Sequence, residues 1–248
     1  MVTTNLGEKS ANYLPSKTKY YWSLVIPAYN EQDNIIAVLT RALEFLSGIS
    51  DHYEVILVND GSADRTGIVA DEFAQKHPQV KVIHHPQNRG IGSAWQTLYQ
   101  AAQGDVIVTC PADQQFDPRD FRLCLPFLDQ ADIISCYRNI RQDNLLRLAI
   151  SKVDELLIKK LLEVNVRDIN WVKIYKKWVL KETNYKSTSP FIETEIFIRA
   201  RQKGAKVIEV AAPHYPRKSG KEKGGSIKNI YTATFDLLKF YRSIRSSG

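Results

Sequence analysis

Short apolar runs alternating with helix-length segments fill the first 138 residues, and this rhythm restricts the chain to one kind of architecture. Ser23-Leu24-Val25-Ile26, Glu54-Val55-Ile56-Leu57-Val58, Val80 to His84, Val106-Ile107-Val108 and Asp132 to Cys136 read as strands, the first and the Val106 run as buried ones. Between the first two, Asp33 or Asn34 caps a helix carrying Ile35, Ile36, Val38, Leu39, Leu43 and Leu46, with Gly48 at its end. Asp64 caps a second helix through Phe73. A third runs from the Asn88-Arg89-Gly90-Ile91-Gly92 loop to Gln103, and a fourth spans Arg119 to Leu128. Strands alternating with helices at this spacing give a mostly parallel sheet with right-handed crossovers.

In such a sheet, ligands gather beyond the carboxyl ends of the strands. The first strand empties into Pro27-Ala28-Tyr29-Asn30-Glu31, the second into Asn59-Asp60-Gly61-Ser62-Ala63-Asp64, and the central one into a loop holding Asp113, Gln115 and Asp117. Oxygen ligands two residues apart suit Mg²⁺ or Mn²⁺ with a phosphate completing the shell. An acidic turn in which Asp117-Pro118 merely starts a helix would use the same residues. Three loops converging at one edge, with Asn30/Glu31, Asp60 and Asp113 on them, favour a site.

Beyond Arg138 the pattern changes. Leu145 to Leu162 reads as a long helix with a wide apolar face, Asp168 to Tyr175 as a loop entering a strand, Phe191 to Gln202 as a helix, and Val207 to Val210 as a last strand before His214-Tyr215-Pro216-Arg217. Ile227 to Ile244 reads as a basic amphipathic helix, with Ile227, Ile230, Tyr231, Leu238 and Tyr241 on one stripe and Lys228, Lys239 and Arg242 off it. The expected organisation is a mobile tail over 1–19, one α/β domain over 20–225 and the helix over 226–248. The formal charge is +7, of which +6 falls between His214 and Gly248. A basic tail serves nucleic acid, anionic membrane or phosphorylated ligands, and charge alone does not choose among them.

Several classes are excluded. The chain has neither the apolar core of a signal peptide nor a membrane-spanning run, which at about 18 to 20 residues would be conspicuous. Cys110, Cys124 and Cys136 lack metal-ligand spacing, and their odd number fits a reduced, intracellular setting. Trp95 stands where a Gly90-Ile91-Gly92 dinucleotide fingerprint requires a small residue. No phosphate-binding Gly-x4-Gly-Lys and no Gly-x-Ser-x-Gly elbow exist. His84 and His85, adjacent at a strand end, point to opposite faces and read as structural or solvated. No recognition motif accompanies the basic tail, so nucleic acid is not expected as a partner.

Taken in order, Leu24-Val25-Ile26-Pro27-Ala28-Tyr29-Asn30-Glu31, Val58 through Thr66, Asn88 to Gly92, Asp113-Gln114-Gln115-Phe116-Asp117-Pro118, Tyr137-Arg138, Asp168 to Tyr175 and His214 to Arg217 resemble glycosyltransferase family 2. The likeness covers about residues 22 to 230. From Tyr137 through Arg147-x-x-x-Ser151 it is nearest the dolichyl-phosphate mannose synthase and polyprenyl-phosphate sugar transferase branch. The resemblance implies the GT-A fold, a nucleotide-binding α/β sandwich with a mostly parallel sheet flanked by helices. It implies a nucleotide-sugar donor on Pro27, Ala28, Tyr29, Asn30, Glu31, Asp60, Gly61, Asn88, Gly90, Ala112 and Asp113, and Mg²⁺ or Mn²⁺ on Asp113 and Gln115. Asp168 matches a catalytic-base or acceptor-site position, and Arg138, Arg147, Ser151 and Arg217 match residues that hold acceptor phosphate or diphosphate. One departure stands out: the first acid of the family's Asp-x-Asp is Pro111, so the site has one carboxylate fewer.

The function expected is an inverting, metal-dependent transfer of a sugar from a UDP- or GDP-linked donor to a polyprenyl phosphate, by a peripheral protein at the inner membrane face. An anionic phosphate acceptor needs positioning more than a general base. Two alternatives stay open. One is a saccharide hydroxyl acceptor with Asp168 as base; the other is a non-catalytic nucleotide-sugar-binding module, motivated by Pro111.

Overall fold

The computed structural model describes residues 17–138, 166–219 and 227–245, with the side chains of that last segment described over 232–243. The expected Leu145 to Leu162 helix, Arg147 and Ser151, and nearly all of the 1–19 tail lie outside the described residues.

Seven strands form one sheet: β1 (Trp22–Ala28), β2 (Tyr53–Asn59), β3 (Val80–His84), β4 (Val106–Thr109), β5 (Ile133–Arg138), β6 (Lys173–Lys176) and β7 (Val207–Ala212). Their order is β3-β2-β1-β4-β6-β5-β7. The ladders β1/β2, β2/β3, β1/β4 and β5/β7 are parallel, whereas β6 is antiparallel to both β4 and β5. Every strand except β6 therefore ends at the same edge, and β6 begins there. From β1 the chain steps outward to β2 and β3, then returns to β4 on the other flank of β1. This makes the β1–β4 crevice the topological switch point, where open α/β sheets bind ligands.

The first strand outruns its sequence boundary. Pro27 and Ala28 continue the β2 ladder opposite Val58 and Asn59, while the β4 ladder stops at Val25↔Thr109. Val25 O accepts from Cys110 N at 3.0 Å, and Ala28 O accepts from Asp60 N at 2.9 Å. By strand alternation the Pro27 nitrogen faces the β4 side, beyond the last pair, where its missing N–H leaves no ladder bond unmade.

Helices cover both faces, which is why β1, β2 and β4 are apolar at nearly every position. On one face Trp22, Leu24 and Ile26 pack with Val38, Leu39, Phe45 and Leu46 of α1 (Ile35–Ile49), and with Phe121. On the other, Val25, Ile56 and Ile107 meet Ala94 and Leu98 of α3 (Ile91–Ala101) and Ile196 of α5 (Ile192–Gln202). The helix α2 (Thr66–Ala74) follows β2, and a short α4 (Lys177–Glu182) follows β6.

Four local expectations are corrected. Gly48 lies inside α1, whose cap is Ser50. Asn34 precedes α1 but makes no side-chain cap, because its amide is committed to the site below. The helix expected over Arg119–Leu128 is a 3-10 segment, Pro118–Phe127, started by Asp117 Oδ1 accepting from Arg119 N at 3.0 Å. Pro126 lacks the N–H that an α-helical turn would need there. Finally, α6 (Ile227–Arg245) faces the core through Ala233, Leu237 and Phe240, a spacing of four and three residues. The stripe read from the sequence is therefore not the face against the core: Leu238, which lies on it, is exposed beside Phe235, Lys239 and Arg242.

Cys124 Sγ and Cys136 Sγ lie 3.5 Å apart as thiols, and all three cysteines are buried and free.

Candidate active site

Three clusters line the strand-end edge, and each is built by residues the loops cannot avoid bringing together. The first ties the β1 and β2 loops. Asn30 adopts φ 51°, a left-handed conformation that asparagine tolerates better than most residues. There its amide N donates to Ser62 Oγ at 2.9 Å and its side-chain oxygen accepts from Ala63 N at 2.8 Å. Glu31 N donates to Thr66 Oγ1 at 2.7 Å. Tyr29, partly exposed, sits at the rim.

Asp60 organises the neighbouring loop. Its Oδ1 accepts from Arg89 N at 2.9 Å and lies 2.6 Å from His85 Nδ1, and its Oδ2 accepts from Gly90 N at 2.9 Å. Asn88 Nδ2 donates to Asp60 O at 3.2 Å. The carboxylate thus sits at the start of α3, where the helix dipole favours a negative charge. Gly61 is fixed by two constraints: φ is 64°, and an added Cβ would stand 2.3 Å from Gln87 C. The predicted donor residues Asp60, Gly61, Asn88 and Gly90 are therefore one cluster. His85 belongs to it as well, although in sequence it reads as structural or solvated: it pairs with Asp60 and, at 2.9 Å, with Thr97 Oγ1. Its alternation with His84, which turns to Asn59 and Asp71, is the only sequence signal of that role.

The second cluster fills the β1–β4 crevice. Gln114 takes φ 61° and spans it: its Nε2 donates to Asn34 Oδ1 at 2.9 Å, and its Oε1 accepts from Arg41 Nη1 at 3.3 Å. Asn34 Nδ2 donates to Glu31 Oε2 at 2.7 Å. Asp113 Oδ1 accepts from Gln115 N at 3.0 Å, and Gln115 O accepts from Tyr215 N at 2.9 Å, so the segment after β7 is pinned onto the β4 loop. That pin delivers Arg217: Nη2 donates to Glu31 Oε1 at 2.5 Å, Nη1 to Asp113 Oδ2 at 3.4 Å, and Nε to Ser219 O at 2.7 Å. Ala112 is buried behind this loop.

The third cluster joins the end of β5 to the start of β6. Arg138 Nε and Nη2 donate to Asp168 Oδ2 and Oδ1 at 2.7 and 3.1 Å, a forked pair with both side chains at most 7% exposed. The guanidinium also lies 4.9 Å over the Trp171 ring, which in turn meets Phe116 and His214 edge-on. Trp171 thereby connects this cluster to the β4 loop. Beneath it, fully buried Lys173 donates from Nζ to Ile169 O at 2.6 Å, Trp171 O at 2.9 Å and Glu193 Oε2 at 3.2 Å. Three donors satisfied in this way fold the 168–172 loop back onto its strand. The hydroxyls of Tyr99 and Tyr175 also donate to Glu193. Burial, then the Glu193 charge, pushes both phenols up, so they remain donors at neutral pH.

A divalent cation fits this chemistry best when phosphate oxygens complete its shell. Among the described residues no three His, Cys, Asp or Glu side chains group as a metal cage. Mg²⁺, however, is commonly held by one or two carboxylates plus substrate phosphates. Asp113, at the mouth of the crevice with its side chain 20% exposed, with Gln115 beside it, meets that requirement.

The family profile described as glycosyl transferase family 2 matches residues 23–184. The chain is 31% identical over 227 residues to an undecaprenyl-phosphate 4-deoxy-4-formamido-L-arabinose transferase of Edwardsiella ictaluri, covering 90% of this chain and 68% of that one. A protein of the same name from Pectobacterium carotovorum subsp. carotovorum is 31% identical over 221 residues, with 87% and 66% covered. The chain thus spans about two thirds of the length of these relatives. Among solved structures, glucosyl-3-phosphoglycerate synthase from Mycobacterium tuberculosis, in complex with Mn²⁺, UDP-glucose and phosphoglyceric acid, aligns at TM-score 0.75 and 16% identity. That alignment covers 96% of this chain and 86% of the other, a likeness of fold.

Proposed function

The chain belongs to glycosyltransferase family 2, and from that premise we propose that it transfers a sugar from a nucleotide-sugar to a polyprenyl phosphate at the inner face of a membrane. The observation that carries the choice of acceptor is the buried, forked Arg138–Asp168 pair. A hydroxyl acceptor would require a carboxylate aimed at its proton, whereas Asp168 aims at a guanidinium. A phosphate oxygen is already anionic and asks for positive groups that orient it. Arg138, held edge-on by Asp168 and face-on by Trp171, is such a group. The relatives from Edwardsiella and Pectobacterium, undecaprenyl-phosphate sugar transferases, support the same acceptor class.

The donor belongs in the β1–β4 crevice, with its base and ribose toward the Asn30–Glu31 and Asp60 loops and its diphosphate toward Asp113 and Arg217. Direct displacement then forms the bond from the acceptor phosphate oxygen to the anomeric carbon and breaks the bond from that carbon to the diphosphate, inverting the configuration. Asp113 and Gln115 would hold a divalent cation, which when bound neutralises charge on the leaving diphosphate. Arg217 supplies a second positive group from the protein itself.

Calorimetry with UDP- and GDP-sugars, with and without Mn²⁺, tests the donor site. Binding is expected to tighten with Mn²⁺ in the wild type and to lose that metal dependence in Asp113→Ala. Equal affinity with and without the metal in the wild type would remove the metal role.

A further inference from the structure

Glu31 and Asp113 reach Arg217 from opposite walls of the crevice, one from the β1 loop and the other from the β4 loop. One guanidinium satisfies both: its two Nη atoms lie 2.5 Å from Glu31 Oε1 and 3.4 Å from Asp113 Oδ2. The side chains of Glu31 and Arg217 are only 8% and 11% exposed. Two acids converging on one positive centre form a seat that a small divalent cation can also occupy, since Mg²⁺ and Mn²⁺ use one or two carboxylates with phosphate and water oxygens. The Glu31 carboxylate is held toward that centre, because its other oxygen accepts from Asn34 Nδ2 at 2.7 Å and its backbone N is fixed on Thr66. Pro111, two residues before Asp113 on the same loop, brings no side-chain ligand.

We infer that Glu31 supplies the second carboxylate of the cation seat at Asp113, and that Arg217 occupies this seat until a divalent cation displaces it. Charge balance favours the exchange: the cation brings two positive charges to two carboxylates, and the released guanidinium matches the phosphate oxygens that arrive with the donor. The inference rests on the crevice being the donor site, but the seat itself can be probed with Mn²⁺ alone.

The test is a Mn²⁺ titration of the full chain followed by electron paramagnetic resonance, without nucleotide. In the wild type Arg217 competes, and apparent affinity falls by the fraction of molecules with the seat open. Arg217→Gln should bind Mn²⁺ about tenfold more tightly or better, the size of one charge-assisted hydrogen bond. Adding Glu31→Gln to that variant should cancel the gain. An unchanged affinity in Arg217→Gln, or a gain that survives Glu31→Gln, would overturn the inference. Glu31→Gln in the otherwise wild-type chain is an independent check: with UDP or GDP present its Mn²⁺ affinity should fall, and an unaltered affinity counts against Glu31 as a ligand. The donor reading fails separately, if neither nucleotide changes Mn²⁺ binding while the Arg217→Gln gain and its cancellation still occur.

Discussion

At the scale of single residues, Asp168 separates the acceptor classes. General-base catalysis contributes typically about a hundredfold or more, so Asp168→Asn should cost at least that in kcat if a hydroxyl must be deprotonated. With a phosphate acceptor, the loss is expected to stay below about tenfold in kcat and to show as a raised acceptor KM, because Asn still touches Arg138 with one oxygen. Steady-state kinetics on the variant distinguishes the two. The individual residues of this site are unevenly legible in sequence. Glu31, Asp60 and Asp113 can be named because each follows an apolar strand whose end is visible. Asn34, Gln114 and His85 cannot, since their roles depend on contacts across 80, 80 and 25 residues respectively. Asn34 in particular reads as a helix cap, and only the fold reveals that its amide is spent on Glu31 and Gln114.

At the scale of elements, the close approach of α3 to the loop before α5 fixes how the Asn88–Gly90 segment is presented. Gly92 makes that approach possible: an added Cβ would stand 2.2 Å from the backbone of Thr188 and 2.4 Å from Ser189 O. Those neighbours are backbone, so they cannot swing away. Gly92→Ala should destabilise the chain by about 1 to 3 kcal/mol, the usual range for overpacking, read as a lowered urea midpoint. A midpoint equal to wild type would show that α3 is free to shift. The strands β1, β2, β4 and β5 are legible because burial on both faces leaves a nearly continuous apolar run, and the partly exposed edge strands β3 and β7 are legible from their β-branched residues. The antiparallel insertion of β6 between β4 and β5 is not, because pairing partners so distant leave no periodic trace in sequence. The 3-10 character of Pro118–Phe127 is hinted at by Pro126, but the apolar spacing around that proline imitates an α-helix.

At the scale of the whole molecule, the sheet order places the ends of β1 to β5 and β7 and the start of β6 on one side, and this alone unites residues from Glu31 to Arg217. No helix among the described residues is long and apolar enough to cross a membrane. The outward face of α6 nevertheless carries Phe235 and Leu238, 59% and 45% exposed, beside exposed Lys239 and Arg242. Apolar side chains flanked by basic ones suit an anionic lipid surface, each charge adding about 1 kcal/mol that salt screens away. Flotation with anionic liposomes should recover the wild type at low salt and lose it on Phe235→Ser/Leu238→Ser. Equal recovery of that variant would locate membrane contact elsewhere.

The most direct test of the central claim is sugar transfer itself. Full-length protein is incubated with Mn²⁺, a panel of radiolabelled UDP- and GDP-sugars, and vesicles containing undecaprenyl phosphate, and the label is followed into the lipid phase. One donor is expected to yield a lipid-linked sugar, with the label absent when undecaprenyl phosphate is omitted and strongly reduced in Asp113→Ala. A donor that binds in the crevice yet labels only saccharides, or labels nothing, would contradict the polyprenyl-phosphate transferase reading.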